Sequence, residues 1–504
     1  MLLLSCAALT FQGPSTGPTV TRYPGMNQVY NVAQPSASTS TISFLGKLDS
    51  VDACEKACLA APSRCWSFTY HGASMGDFAR QCFGIVAPRW SPTPDVDDVV
   101  SGKVSWPCRS DDDCSLNGKC TASKRCKCRP QWSGDRCETL RLGAATRGAG
   151  YRAVDDGHNT SSWGGAVLLD DKSGTYHMWA SEMTAHCGIG AWAQNSRVVH
   201  ATSSTPGGTY ERKDVVWGVF SHEPMMARAP TGEYVMYFTS SLANATVGSC
   251  DCCAAGRSKC DGSTGPGDCP DTTATASASS GGRGGRVGVG DSDPTWMSYA
   301  PSPDGPWSTP KRVFADWHGS DTNFAPLILK NGSLLAIWRS WEATGSRCFL
   351  ATADDWRDPS TYVQQHDEVI STDLGTAGTE DPFVYQDEDG HFHAVFHHMY
   401  GEGTQTQWWL DTDGGHAFSR DGVSWTYSGV AWGNAEHPRK TPVAFSDGGT
   451  FTFTRLERPH LVFDSKGAPT HLLNAAQYGP GKDPGTTGDN GDASYTLVRP
   501  ILQG

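Results

Sequence analysis

SHEPMMARAPTGEYVMYFTS, residues 221–240, decides how this chain is read. It opens on charged and polar residues beside a proline and runs into an apolar stretch. It then turns at Gly232 and returns through an aromatic strand. Two strand-like runs joined by a glycine-containing turn make a β-hairpin. The unit recurs four more times: SSWGGAVLLDDKSGTYHMWAS (161–181), TNFAPLILKNGSLLAIWRS (322–340), TEDPFVYQDEDGHFHAVFHHM (379–399) and LERPHLVFDSKGAPTHLLNA (456–475). The turn glycines are Gly174, Gly232, Gly332, Gly390 and Gly467.

A second pattern, roughly Ser-x-x-Gly-x-Trp/Tyr, follows four of the units. Instances are Ser203 to Tyr210, Ser302 to Trp307, Ala353 to Trp356, and Ser419 to Trp425. It suits outer strands whose turn is pinned by an aromatic ring. Five units of four strands predict a five-bladed β-propeller over 141–504. The widest gap, 242–293, holds Cys250, Cys252, Cys253, Cys260 and Cys269 and a Ser/Gly-rich tract, and is expected to be a flexible insertion. Local disulfides there are favoured over a metal. With Cys187 and Cys348 the region carries an odd number of cysteines, so one thiol is expected to be free.

The expected fold class is therefore mainly β: a five-bladed propeller preceded by two small disulfide-rich modules. The formal net charge of −13 argues against an extended polyanion, so no nucleic acid is expected as partner. Ten of the 18 Cys fall between Cys54 and Cys137, a density that belongs to an oxidising compartment. Sequons at Asn159, Asn244 and Asn331 agree with secretion. Residues 1–13, with Leu2-Leu3-Leu4, are expected to be a signal segment cleaved near Ala8, and 14–40 a flexible lead-in. No run of about 18 apolar residues occurs, so no transmembrane segment is expected. The expected location is extracellular or at the cell surface.

The first module, 41–107, carries CEKACLAAPSRCWSFTY from Cys54 and QCFGI from Gln81. Cys54 and Cys58 lie one helical turn apart over Val51 to Ala60. Trp66, Phe68 and Tyr70 alternate as in a strand. With Cys65 and Cys82 these residues resemble a PAN/apple domain, which implies protein or carbohydrate ligands. The second module, 108–140, holds Cys108, Cys114, Cys120, Cys126, Cys128 and Cys137. Sequence alone leaves fifteen connectivities open. Its spacing resembles an EGF-like domain, and the resemblance implies pairs Cys108–Cys120, Cys114–Cys126 and Cys128–Cys137. Ser105-Trp106-Pro107 stands where the calcium-binding subtype has acids, so no calcium is expected there. Its expected role is that of a spacer or a docking module for extracellular proteins.

In a propeller the inner strand of each blade starts at one mouth of the central channel. The residues before the proline then face that funnel: Trp163 with Gly164, His222 with Glu223, Asn323, Glu380 with Asp381, and Glu457 with Arg458. Converging carboxyl groups suit glycoside hydrolysis, where one stays protonated and another ionised. The candidate catalytic residues are Asp381, Glu457, Glu223 and Asp156. Candidates for substrate binding are Trp163, His222, Asn323, Arg339, Glu380, His416 and Arg458. The expected partner is a carbohydrate. Each residue also has a structural reading: Glu457 as the partner of Arg458 or Arg339, Glu223 as the partner of a histidine, and His416 as filler of the channel. His416 is also a candidate ligand for a Ca2+ or other ion on the axis; no further cofactor is expected. His393 and His397 fall on one face of their strand and His398 on the other, which does not suit zinc.

EDP (380–382), GGHAFS (414–419) and ERPHLVFD (457–464) resemble the propeller superfamily of glycoside hydrolase family 43 and its invertase and levansucrase relatives. The stretch 150–475 is similar to uncharacterised family-43-like proteins, some with EGF-like modules. The resemblance implies the fold and an action on oligosaccharide or cell-wall glycan. Characterised members carry an acid at the inner strand of each of the first three blades. Here the first blade offers Trp163-Gly164-Gly165, with Asp155 and Asp156 as the nearest acids; the second offers Glu223; the third offers Asn323, with Asp321 two residues before it. That departure motivates a second reading, a non-catalytic glycan-binding or adhesion protein. A third is a six-bladed sialidase-type propeller, with SRDGVSW as its turn and Arg339, Arg455 and Arg458 as an arginine triad. The count of five units argues against it.

Overall fold

The computed structural model describes residues 18–25, 42–61, 65–85, 97–152, 160–184, 187–242, 294–314, 322–342, 345–370, 378–399, 412–433, 441–478 and 493–504. The expected signal segment, the insertion from 243 onward and Asp156 lie outside them.

Five blades follow one another along the chain, each antiparallel within itself, the third and fourth joined by one parallel bridge between Ser346 and Gly378. Blade one is Ser162–Asp170, Thr175–Met183, Ser196–Ser203 and Glu211–Trp217, in that order. Blade two is Ser221–Arg228, Tyr234–Ser240, Thr295–Ala300 and Lys311–Arg312. Blade three is Thr322–Ile328, Leu334–Glu342, Gly345–Ala353 and Tyr362–Glu368. Blade four is Gly378–Gln386, Phe392–Met399, Gly414–Ser419 and Thr426–Trp432. Blade five has Arg455–Phe463, Pro469–Gln477 and Ser494–Pro500. The first hairpin of each blade is the repeated unit of the sequence. Its turn needs a left-handed residue, which glycine supplies without steric cost, as at Gly232 (φ 100°).

The beginning of the propeller runs along the outer edge of blade five through isolated bridges. The Gly143 N–H donates to Pro500 O at 2.8 Å and the Leu502 N–H to Arg141 O at 2.8 Å. Leu142 pairs with Ile501, and Tyr151 with Thr496. Both ends of the propeller chain thus share one blade. This ties the ring closed and covers an edge that would otherwise be open to pairing. The chain is a five-bladed β-propeller preceded by two disulfide-rich modules.

The first module is a five-stranded antiparallel sheet with one helix, Val51–Ala60. Ser50 caps the helix by accepting from the Ala53 N–H at 3.2 Å. Cys54 and Cys58 are buried on one helical face and bond to Cys82 and Cys65 respectively. The flexible lead-in expected over 14–40 needs a correction. Thr19–Pro24 is an edge strand paired with Val99–Ser105. Its Arg22 forms ion pairs with Asp52 and Glu55 of the helix, which anchors the strand.

In the second module Cys108–Cys120, Cys114–Cys126 and Cys128–Cys137 are bonded. The module does not stand off as a spacer. Cys108, Cys114, Trp132, Cys137 and Leu140 share one buried cluster with Ile337, Phe396 and Trp432 of blades three and four. Arg129 pairs with Asp387 and Asp389, and Arg420 with Asp112, around its rim. No helix among the described residues is long and apolar enough to cross a membrane.

Candidate active site

Each inner strand carries an irregularity near its start. The register shifts between Trp163 and Gly165, His222 and Met225, Thr322 and Ala325, Glu380 and Phe383, and Glu457 and His460. Within each shift one residue is left-handed: Gly164 (φ 67°), Glu223 (58°), Asn323 (52°), Asp381 (51°) and Arg458 (52°). A bulge turns its residue out of the ladder and re-aims the side chain. A left-handed conformation costs a non-glycine residue roughly 1–2 kcal/mol, and such strain gathers at functional sites.

The five positions converge. The Asn323 side-chain N–H donates to Glu223 Oε2 at 2.7 Å. Arg458 Nη1 lies 2.7 Å from Glu223 Oε1 and 3.0 Å from Asp381 Oδ1. The Arg458 backbone N–H also donates to Asp381 Oδ2, at 3.2 Å. A Cβ on Gly164 would lie 2.9 Å from that of Arg458. Blades two and five are not neighbours in the ring, so the Glu223–Arg458 contact crosses the propeller axis. Asn323, Asp381 and Arg458 border a cavity of about 10 Å³, room for one water.

The residue preceding each bulge builds a second layer. Glu380 is paired with Arg339, which also donates to Ser346 Oγ and Thr322 Oγ1, each at 3.0 Å. Arg455 donates to both oxygens of Glu457, at 2.5 and 2.7 Å. His397 lies between them, 3.8 Å from Glu380 and 4.0 Å from Glu457, and neither ring nitrogen has a hydrogen-bond partner.

These groups shift one another. Burial pushes Asp381 up to about 7; Glu380, Glu223 and Glu457 add to this, and Arg458 opposes it. Burial would also raise Glu380, but Arg339 and His397 outweigh it and draw it down to about 2. For Glu223, burial is outweighed by Arg458 and then His222, so its carboxyl lies below its ordinary value. Burial would lower His397, yet Glu457 and Glu380 raise it to about 9. The site thus holds one carboxyl near neutrality beside ionised ones.

The structure brings Glu223, Asn323, Arg339, Glu380, Asp381, Glu457 and Arg458 together. Trp163 belongs to the first bulge but does not present an open face. It is buried under the Arg455 guanidinium, 4.6 Å from its ring centre. His222 accepts or donates with Ser196 Oγ at 2.6 Å, packs on Trp192, and is lowered by burial to about 4. His416 is a correction, since it lies neither on the axis nor in the funnel. It sits on the third strand of blade four, bonded to Ser428 and to His393, with Asn117 and Trp132 of the second module against it. A third strand is removed from the channel, so its side chains meet whatever covers the blade.

Two further contributors carry other roles in the sequence: His397 is weighed there as a zinc ligand and Arg455 as part of an arginine triad. Glu182, wholly buried at the end of the second strand of blade one, is held by Arg152, Arg197, Arg212 and Tyr151, apart from the converging residues. As for an axial cation, Glu380, Asp381, His397 and Glu457 offer ligand atoms within 4.8 Å of one another. They do not fit one, since Arg339 already pairs with Glu380, Arg455 with Glu457 and Arg458 with Asp381.

No protein-family model matches the chain. No curated protein matches it either. Among solved structures it is similar to a family 117 glycoside hydrolase from the marine bacterium Zobellia galactanivorans, at 15% identity and a TM-score of 0.42, over 74% of this chain and 92% of that one. It is similar to a family 62 α-L-arabinofuranosidase catalytic domain from Coprinopsis cinerea, at 12% identity and 0.42, over 72% and 97%. It is also similar to a thermostable family 43 glycoside hydrolase, at 13% and 0.40, over 68% and 93%. The five-bladed architecture rests on the sheet order and on the closure at residues 141–151, independently of these likenesses.

Proposed function

We propose that the chain is an extracellular glycoside hydrolase acting on an oligosaccharide or cell-wall glycan, with Asp381 as general acid and Glu223 as nucleophile. One observation carries the reading: Glu223 and Asp381 share a single guanidinium nitrogen of Arg458 while their pKa values are driven apart. The shared contact holds their nearest oxygens within about 6 Å of each other, which is compatible with the roughly 5–5.5 Å pair of retaining enzymes. Asp381 keeps a proton for the leaving oxygen near neutral pH, and Glu223 stays ionised to attack the anomeric carbon. Arg339, Arg455 and His397 hold Glu380 and Glu457 in place behind them. The first module as a PAN/apple-like domain and the second as an EGF-like domain support attachment to extracellular partners. Their five disulfides suit that compartment.

A second reading is favoured by one observation. Arg458 neutralises both carboxylates at once, as a structural ion triad would, and this suits a propeller that binds glycan without cleaving it. The two readings part in one experiment. Wild type, Asp381→Asn and Glu223→Gln are assayed for sugar release from aryl glycosides and wall polysaccharides, and for binding on a glycan array. Release by the wild type that both variants abolish supports the hydrolase. Binding without release, unchanged in the variants, supports the second reading.

A further inference from the structure

Blades one and four repeat a histidine pair. His177 and His393 stand three residues after the turn glycines Gly174 and Gly390. Their partners, His200 and His416, stand on the third strands, each followed by alanine. Both pairs are joined Nδ1 to Nε2, at 2.8 Å in blade one and 3.1 Å in blade four, with ring planes 17° and 25° apart.

In blade four the pair is closed at both ends. His393 Nε2 meets Asp387 Oδ2 at 3.2 Å, and His416 Nδ1 meets Ser428 Oγ. In blade one it is not. His200 is fully buried, with Trp179 stacked on it at 5.1 Å, and its Nδ1 has no hydrogen-bond partner. That nitrogen faces Asp214 Oδ1 of the outer strand of blade one and Asp304 Oδ1 of blade two, each at 3.7 Å.

Neither tautomer satisfies this arrangement. If His200 Nε2 donates to His177, then its Nδ1 is a bare lone pair set against two carboxylates, which only accept. If His177 donates instead, His200 Nδ1 carries the proton, but 3.7 Å is too far for a hydrogen bond. A metal ion resolves the first case. Ligand atoms bound tetrahedrally at 2.0–2.2 Å stand about 3.4 Å apart, so each 3.7 Å gap from His200 Nδ1 to a carboxylate oxygen needs only a small closure.

We infer that His200 Nδ1, Asp214 and Asp304 form a Zn2+-type site that staples blade one to blade two. His177 sits behind His200 and fixes the ligating tautomer, as outer partners of metal-bound histidines do. His177, His200 and Asp304 offer ligand atoms within 4.8 Å of one another; Asp214 lies outside that group and would close onto the ion from the outer strand. An imidazole with two carboxylates favours Zn2+ over the all-oxygen ions Ca2+ and Mg2+. The Asp214 and Asp304 side chains are about half exposed, at 47% and 51%, which opens the site to solvent and leaves a position for water. Lys213 Nζ lies 2.5 Å from Asp304 Oδ1, and a bound cation displaces it.

The test is calorimetric titration of chelator-stripped, full-length protein with zinc chloride, on wild type, Asp304→Asn and His200→Ala. The wild type takes up one Zn2+ more than either variant, and added Zn2+ raises its Tm while leaving theirs unmoved. Asp304 lies at the surface, so Asp304→Asn keeps the test valid even where His200→Ala fails to fold. Equal uptake by wild type and Asp304→Asn overturns the inference, and so does a wild type that binds no Zn2+.

Discussion

Arg458 crosses the propeller axis to place Nη1 2.7 Å from Glu223 Oε1, joining blade five to blade two. The same nitrogen holds Asp381 of blade four. One guanidinium thus ties three blades at the centre of the ring, and all three partners are buried or nearly so. Replacing it leaves Glu223 and Asp381 facing each other without the cation they share. Arg458→Met is expected to cost about 3–5 kcal/mol of unfolding free energy, read from urea denaturation at pH 7. A loss below about 1 kcal/mol would show that the triad is not what holds the axis.

Asp381 gives the site a pH dependence. Its folded value is raised, so its contribution to stability is full below the unfolded value near 3.8 and is lost as the pH rises through about 7. Wild type is expected to lose stability relative to Asp381→Asn between pH 4 and pH 7. Parallel stability curves for the two proteins would contradict the raised value.

His397 acts over a higher window. Its folded value is raised to about 9, so its contribution is full below 6.5 and fades as the pH climbs through 9. Thermal melts between pH 6.5 and 9.5 should show the wild type losing stability that His397→Gln does not lose.

Trp132 is buried against His416, their ring centres 4.8 Å apart, in the cluster shared by the second module and blades three and four. Trp132→Ala is expected to cost about 3–5 kcal/mol. In wild type the module and the propeller should melt as one calorimetric transition. Two separate transitions would make the module an independent unit.

The five inner hairpins were legible because each combines a left-handed turn glycine with strand-period apolar runs, as around Gly232. The residues facing the axis were legible too. Glu223, Asp381 and Arg458 each stand directly before a proline, at the bulge. What could not be read was how they pair. Arg458 is one of many arginines in the sequence, and only closure of the ring brings blade five against blade two. Trp163 is a candidate for substrate binding by its position, but Arg455 covers its ring. His416 was misplaced because a strand's alternation gives its faces and not its distance from the axis. His177 and His200 drew no attention at all, since they lie 23 residues apart and meet only across neighbouring strands.

The most direct test of Asp381 as the acid compares leaving groups. Hydrolysis of a 2,4-dinitrophenyl glycoside, which needs no protonation, is measured against that of a phenyl glycoside, which does. In kcat/KM, which excludes the later step where Asp381 would act as base, Asp381→Asn should lose about 10²–10⁴-fold on the phenyl glycoside and little on the dinitrophenyl one. An equal loss on both, or a wild type that cleaves neither, would contradict the account.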